Sequence, residues 1–484
     1  MLAMQRQLSS SFYALLSLPS TAMGFALSVQ ISALSWILTT QYGLDIHDVG
    51  LVWAAGPLAG IIGQVLIGII SDKVWLWNGR RRPFILVGGV LAALMLLALP
   101  SIDVISESMG VGGILGVAIA VALTLDLAIN ISFNPTRAII ADVTPSGDAR
   151  TKGYTWMQTI SGSFGVLAYG VGAFWDNYAL IYVGVGLVFI FSILPPFFIE
   201  EPRQLEDDSE TPAERSAGLM DILMHIQPLW GFLLYDIYAM TLRLAHIEVD
   251  HYYVEYACIA LTLFLVAKAL LAKTAGLSHH EAGLVGFKKV LAAHSFSWIG
   301  VQTMFIYMVA YTQFAMPNLD DASMGRTVSM AFLVLSAVSA LLPAFVLEPI
   351  SEKLGRVRTH TLCLALMAVG YFAIANAATS PTMLYVLMAV VGIGWGAIVS
   401  LPFAIMSVQV NQAQMGLFMG LFNLSVVLPQ LVASLGIGLL ISRAEDKSIV
   451  FIISAVCLAL SALCWSKVHE GNGQPGPTHS GTGH

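Results

Sequence analysis

The sequence is poor in charged residues. Asp, Glu, Lys and Arg together make up 11% of its 484 residues, against about 25% in an average soluble domain. So few charges cannot cover a water-exposed surface with polar groups, and much of the surface must therefore face lipid. An ordinary soluble globular protein is excluded.

Signatures of catalysis and of nucleotide binding are also missing. The sequence contains no GxxxxGK[ST], which argues against an ATP-driven pump within the chain, and no HExxH or paired Glu-x-x-His. The four cysteines lie in apolar runs without metal-type spacing, so neither a zinc site nor a disulfide framework is expected. We therefore expect no enzyme activity, no metal, no cofactor and no nucleic-acid partner.

Long apolar runs are the dominant feature. Hydrophobic residues make up 57% of the chain, and the mean hydropathy is +0.79. The runs are continuous, which favours helices of about 20 residues over the alternating strands of a barrel. They predict twelve core spans in two sets of six, at 12–40, 47–71, 83–100, 111–141, 153–175, 178–199, 295–316, 325–348, 359–378, 382–408, 412–442 and 448–467.

A central segment, 200–290, separates the two sets. After an acidic linker it holds two apolar stretches, 218–244 and 252–272, and the first contains four ionisable residues. The pair can form a transmembrane hairpin, which we favour, or lie on the membrane. The sequence thus predicts an N-terminal bundle (1–199), a linker with two extra helices (200–290), a C-terminal bundle (291–467) and a disordered tail (468–484), with 12 or 14 spans.

Basic residues predict the orientation. They concentrate in the loops after the second, fourth and eighth spans, as Lys73, Arg80, Arg81, Arg82, Arg150, Lys152, Lys353, Arg356 and Arg358. Because short cytoplasmic loops are enriched in Lys and Arg, both termini are expected in the cytoplasm of a multi-pass membrane protein.

An acid followed by a basic cluster occurs at the same place in both halves. The first copy joins Asp72 to Arg80, Arg81 and Arg82, with Asp142 at the end of the fourth span as a further partner, and the second joins Glu352 to Arg356. The repetition predicts two parallel six-helix units whose acid–base pairs close a cytoplasmic gate. The alternative is a basic anchor with incidental acids.

The fourth span carries ionisable groups on one helical face. Asp126, Asn130, Phe133 and Arg137 share that face at 3.6 residues per turn. A carboxylate in a span costs about 3 kcal/mol on insertion scales, which makes Asp126 a candidate for proton coupling. Arg137 lies about 16 Å further along the helix and suits a gate or the inner cavity. The alternative for Asp126 is a hydrogen bond between helices.

Amides and an aromatic hydroxyl in other spans suit a sugar site. Amides bind hydroxyl groups, and aromatic faces stack on the C–H faces of pyranose rings. The candidates are Gln30, Gln302, Tyr311, Asn423 and Gln430. Each of them can instead serve in contacts between helices.

Four stretches resemble one family, the plant sucrose–proton symporters and their animal and bacterial relatives within the major facilitator superfamily. The stretches are Trp53-Ala-Ala-Gly-Pro-Leu-Ala-Gly leading to Ser71-Asp72; Gly79-Arg-Arg-Arg-Pro-Phe-Ile; Asp126-Leu-Ala-Ile-Asn130 with Pro135-Thr-Arg137-Ala and Ala141-Asp142; and Gly416 to Gln430. They lie in both halves, so the resemblance covers the whole core.

The resemblance implies a major facilitator fold and import of a disaccharide or glucoside, of sucrose or maltose type, coupled to protons by alternating access. It implies protonation of Asp126 and a role for Arg137 in substrate binding or coupling. The 200–290 insertion differs from the plant central loop and favours a bacterial branch, and therefore the bacterial inner membrane. We expect the protein to function as a monomer. The alternative is an uncoupled facilitator or an efflux transporter of the same fold.

Overall fold

The structure is a computed structural model that describes residues 3–60, 74–108, 110, 113–145, 148–203, 219–245, 247, 249, 251–342, 346–410 and 415–470. Within those residues the long elements are helices, and the N-terminal half contains α1 (Ser10–Thr40), α2 (beginning as Ile46–Trp53), α3 (Arg82–Ser108), α4 (Ile114–Val143), α5 (Asp148–Phe174) and α6 (Asn177–Phe198). The all-helical membrane fold predicted from the sequence is confirmed.

The rest of the chain adds a helix pair and a second half. The pair is α7 (Trp230–Leu244) and α8 (Tyr253–Leu271), and the second half contains α9 (His279–Ala315), α10 (Asp321–Leu342), α11 (Arg356–Ala377), α12 (Pro381–Ser407), α13 (Leu417–Arg443) and α14 (Ile449–Trp465). Among the described residues, nine helices are long and apolar enough to cross a membrane.

Helix α9 begins well before the span expected from hydropathy. Ser278 and Glu281 form a capping box, which satisfies free N–H groups of the first turn and starts a 37-residue helix. Its first turns are polar, so a hydropathy window misses them. The predicted domain boundary at 290 therefore falls inside one continuous helix.

The stretch predicted as one apolar segment at 218–244 is interrupted. A short helix, Leu219–His225, ends before a turn at Gln227–Leu229, and α7 starts only after it. Pro228 explains the break, because proline has no N–H to continue the helical ladder.

Helices α7 and α8 form a hairpin that packs along the second half. Gly231 lies so close to Cys258 and Thr262 that a Cβ would not fit between the helices. Phe232 contacts Phe296 of α9, with ring centroids 6.2 Å apart. The hairpin therefore runs alongside α9.

The two halves meet at one end of the molecule. Helices α3 and α11 begin with basic clusters at Arg82 and Arg356, and we call that end of the molecule the basic side. The contacts between the two halves lie at the opposite end, which we call the far side. Hydrogen bonds that join the halves include Ser32 with Ser329 (2.5 Å between hydroxyl oxygens), Ser35 with the carbonyl of Ile306 (2.9 Å) and the Trp36 indole with the carbonyl of Asp321 (2.8 Å). These contacts form a closed seam on the far side.

Candidate functional site

Asp126 lies in the middle of α4 and is buried, with 5% of its surface exposed. Gln30 donates from its Nε2 to the Asp126 Oδ2 at 3.0 Å. Gly56 lies against the same carboxylate, since a Cβ at Gly56 would be 3.3 Å from Oδ2. Three parts of the N-terminal half thus enclose the carboxylate that the sequence singled out.

Gln30 begins an irregular turn of α1. Residues Gln30–Leu34 form a π-helical segment between two α-helical parts. Such segments interrupt the regular hydrogen-bond ladder and occur frequently at functional sites. A second π segment, Ala433–Ile437, interrupts α13 in the other half.

The other polar residues of α4 follow Asp126 along the helix. Asn130 donates from its Nδ2 to the Asp126 carbonyl at 2.8 Å. The Arg137 guanidinium lies over the Phe133 ring, with Cζ 4.3 Å from the ring centroid, a cation–π contact between residues one turn apart. The structure therefore brings Arg137 to Phe133 rather than to Asp126.

A pair of amides forms the matching feature of the second half. Gln430 on α13 donates from its Nε2 to the Gln302 Oε1 on α9 at 3.2 Å. Gln302 is buried, with 4% of its surface exposed. The structure thus joins two of the sequence-predicted sugar-binding residues.

Both polar pairs lie at the same depth below the far-side seam. Gln30 precedes the seam residue Ser35 by five positions, and Gln302 precedes Ile306, the partner of Ser35, by four. At 1.5 Å per residue, each pair lies roughly 6–8 Å from the seam toward the basic side. One polar pair from each half is therefore placed just inside the closed end.

Two further candidates are placed differently. The Tyr311 hydroxyl donates to the carbonyls of Ile374 (2.7 Å) and Ala378 (3.2 Å), at the end of α11, and Tyr311 is 1% exposed. Its hydroxyl thus holds α9 to α11, so we leave it out of the proposed binding site. Asn423 is half-buried on α13, about two turns from Gln430 toward the basic side.

An ion pair lies on the basic side of the N-terminal half. Arg81 donates from its Nε to the Asp142 Oδ2 at 2.9 Å, and both side chains are almost fully buried. The two residues come from the start of α3 and the end of α4, as the gate motif predicts. Arg82 donates to the carbonyls of Pro196 and Asn78. Asp72 lies outside the described residues.

Glu201 organises the same loop and was not among the predicted site residues. Its carboxylate accepts the backbone N–H groups of Arg80 (2.7 Å), Arg81 (2.8 Å) and Arg82 (2.9 Å). It satisfies N–H groups that the start of α3 leaves free and neutralises basic charge there. In the sequence, Glu201 stands out only as part of the acidic linker after the sixth span.

Glu470 has the equivalent place in the second half. Its Oε1 accepts the N–H of Val357 at 2.9 Å, at the start of α11. Gly355 precedes that helix with a backbone φ of 87°, a left-handed conformation that favours glycine. The Glu470 carboxylate lies so close to Gly355 that a Cβ there would be crowded. Arg356 is exposed, and the side chain of Glu352 is outside the described part.

Glu201 and Glu470 occupy equivalent positions in the two repeats, and that equivalence is the sequence signal that could have identified their role. Glu201 follows α6, the last helix of the first half, and Glu470 follows α14, the last helix of the second. Each carboxylate binds the start of the third helix of its own half. Comparing the ends of the two sequence repeats would have aligned them.

Replacing Glu201 with alanine is expected to destabilise the protein. Hydrogen bonds to a charged group contribute about 1.5–3 kcal/mol, and the substitution leaves three N–H groups without their acceptor. We expect the unfolding temperature in detergent to fall by about 5 °C or more. The exposed Glu445 provides a matched control, and Glu445→Ala should leave the transition in place. Equal unfolding temperatures for both variants would contradict this role of Glu201.

The sequence matches the Major Facilitator Superfamily over residues 16–428 and again over 290–480. The chain belongs to the Major Facilitator Superfamily. It is therefore a multi-pass membrane transporter and not an enzyme.

Similar proteins with assigned names include a sucrose transport protein and an alpha-glucoside permease. The chain is 25% identical over 468 residues to the sucrose transport protein SUC4 of Arabidopsis thaliana, covering 88% of this chain and 83% of that protein. It is 29% identical over 190 residues to the general alpha-glucoside permease of Schizosaccharomyces pombe, covering 36% of this chain and 34% of the permease. These relatives confirm the resemblance to sucrose and glucoside transporters.

Solved structures confirm the fold. A mutant of the nucleoside transporter NupG superposes with a TM-score of 0.65 at 13% identity, covering 94% of this chain and 99% of NupG. The inward open xylose transporter XylE from E. coli superposes with a TM-score of 0.60 at 16% identity, covering 96% of this chain and 97% of XylE. The predicted major facilitator fold is therefore correct.

Proposed function

We propose that the protein imports a disaccharide or glucoside together with a proton. The observation that carries the proposal is the buried Asp126 carboxylate, held by Gln30 at an irregular turn of α1 just inside the far-side seam. A buried carboxylate changes its charge when it binds or releases a proton, and its neighbours respond to that charge. Such a group can link proton occupancy to the state of the transporter.

Sugar is the substrate class that the relatives and the site chemistry favour. The relatives reported above are named as sucrose transport proteins and as an alpha-glucoside permease. The Gln302–Gln430 pair offers amide donors and acceptors at the depth of Asp126, and amides bind sugar hydroxyl groups well. No metal or cofactor is required for this cycle, in which protons are the coupling ions.

The proposed cycle begins with the far side open. With the basic side in the cytoplasm of a bacterial cell, a proton binds Asp126 and sugar binds between the two polar pairs. Closure of the seam at Ser32 and Ser329 then produces the conformation seen here. Sugar and proton leave toward the basic side, and the empty monomer returns.

Uptake into proteoliposomes tests the function. Labelled sucrose and maltose are offered to the reconstituted protein with and without an inwardly directed proton gradient. We expect accumulation above the external concentration only with the gradient. Equilibration that ignores the gradient would identify an uncoupled facilitator, and net export would identify an efflux transporter; either result would overturn the proposal.

Shortening Gln302 is expected to weaken sugar binding while preserving coupling. Gln302→Ala removes an amide proposed to bind sugar hydroxyl groups and leaves the Gln430 amide without its acceptor. A loss of about 1.4 kcal/mol in sugar-binding free energy corresponds to a tenfold higher half-saturation concentration. Accumulation at saturating sugar should still follow the proton gradient. Asn376→Ala, at an exposed amide on α11, is the control. An unchanged half-saturation concentration would exclude Gln302 from the binding site.

A further inference from the structure

A cavity lies away from the polar pairs described above. It has a volume of about 580 Å³, within the range of ligand pockets, about 300–1,000 Å³. Its polar lining consists largely of His47, Tyr235, Arg243, Tyr252, Glu255 and Arg443. Asp126, Gln302 and their hydrogen-bond partners Gln30 and Gln430 are not among the described residues that line it. We call it the accessory cavity.

The walls of the accessory cavity come from three parts of the chain. His47 belongs to α2 of the first half, Arg443 to the far-side end of α13 in the second, and the remaining polar residues to the α7–α8 hairpin and its loop. Arg243 contacts His47, and Arg443 donates to the Tyr252 hydroxyl. The hairpin thus contacts both halves on the side where the seam is closed.

The lining combines hydrogen-bonding groups of both kinds with apolar surfaces. The two arginines are donors, and the tyrosines add hydroxyl groups and ring faces. Glu255 adds a carboxylate acceptor to the lining, and its Oε2 has no hydrogen-bond partner among the residues that the structure describes. Leu435 and Leu439 complete an apolar wall. A ligand with hydroxyl groups and C–H faces matches this set.

The charges do not favour an anion. Glu255 lies in the lining, and Asp45 and Asp48 lie close enough to Arg243 to interact with it electrostatically. These carboxylates offset the positive charge of Arg243 and Arg443. A phosphate or carboxylate ligand would meet acids as well as arginines, whereas a neutral ligand would meet no such repulsion.

We propose that the accessory cavity binds an uncharged, hydroxyl-rich ligand, either a free sugar or the sugar headgroup of a lipid, and that its occupancy stabilises the closed far side. A ligand that touches walls from both halves in this conformation favours it over one in which the walls separate. The site is distinct from the proposed transport site, so it does not depend on the proposed function.

A disulfide at the seam reports this effect. Ser32→Cys with Ser329→Cys places two thiols where the hydroxyl oxygens are 2.5 Å apart, so an added chemical oxidant joins them into a disulfide when the far side is closed. The protein is reconstituted in nanodiscs of phosphatidylcholine and phosphatidylglycerol without sugar lipids. The probes are maltose, octyl maltoside below its micellar concentration, and inorganic phosphate. We expect maltose or octyl maltoside to accelerate disulfide formation about threefold.

Two variants and a control locate the effect. Glu255→Ala removes the acceptor, and Ala239→Phe fills the cavity from α7; both should abolish the acceleration. Tyr256→Phe, at an exposed position of α8 outside the lining, should preserve it. A response to octyl maltoside alone would support the site and identify lipid headgroups as the source.

Several outcomes would overturn the proposal. Equal acceleration in Glu255→Ala, Ala239→Phe and the parent pair would place the effect at the transport site. Acceleration by phosphate alone would show an anion site, and no response to any probe would show no site. Each can be obtained whether or not sugar uptake follows the proton gradient, so failure here is separate from failure of the proposed function.

Discussion

Replacing Asp126 with asparagine is expected to abolish sugar accumulation driven by a proton gradient. A gradient of about two pH units is worth about 2.7 kcal/mol per proton, which supports about 100-fold accumulation when one proton accompanies each sugar. Asparagine keeps the size of the side chain and can still accept from Gln30, but it cannot bind and release a proton. Accumulation should therefore fall to simple equilibration.

Exchange of internal for external sugar separates coupling from damage to the fold. Exchange needs substrate binding and movement of the halves but no net proton transfer, so Asp126→Asn should retain it. Asp236 on α7 is the matched control, because it is also a buried carboxylate, with 4% of its surface exposed. Asp236→Asn should keep accumulation. If Asp236→Asn loses accumulation and Asp126→Asn keeps it, the coupling role of Asp126 is refuted.

Adding one methyl group at Gly50 is expected to oppose closure of the far side. A Cβ there would lie 2.5 Å from the carbonyl oxygen of Ser434 and 2.5 Å from the Tyr307 hydroxyl. A backbone oxygen cannot move aside cheaply, so Gly50→Ala must separate α2 from α13. Overpacking costs about 1–3 kcal/mol, which corresponds to a shift of roughly 5- to 150-fold in the closing equilibrium.

The seam disulfide and uptake measure this shift. In the Ser32→Cys/Ser329→Cys protein, Gly50→Ala should slow disulfide formation and reduce uptake in proportion. Gly24→Ala on α1 is the control, since a Cβ at Gly24 would have nothing within 4 Å. An unchanged disulfide rate in Gly50→Ala would show that α2 and α13 do not limit closure.

The sequence predicted the features that depend on local pattern. Continuous apolar runs indicated spanning helices because lipid cannot satisfy backbone polar groups, which leaves the helix to do so. Asp126 stood out because a carboxylate is rare in such a run. Asp142 was expected to pair with the basic loop because it lies at the end of the fourth span, and the structure places its carboxylate 2.9 Å from Arg81.

Contacts between residues far apart in the sequence could not be predicted from local residue patterns. Glu201 lies about 120 residues along the chain from Arg80, whose N–H donates to its carboxylate. This contact depends on α6 ending beside the start of α3. Tyr311 lies within a helix like its neighbours, and only packing shows that its hydroxyl holds α11. The polar first turns of α9 look like linker in a hydropathy profile, although a capping box makes them helix.

The sequence by itself determined that this protein is an all-helical membrane transporter, that α4 carries a buried carboxylate, and which family it resembles. These properties follow from the solvent: lipid requires apolar helices, and a charge within them is conspicuous. Only the tertiary structure decided which amide meets Asp126, where the two polar pairs lie relative to the seam, and that α7 and α8 bridge the halves around the accessory cavity. Those facts arise from packing between helices far apart in the chain, which residue patterns do not record.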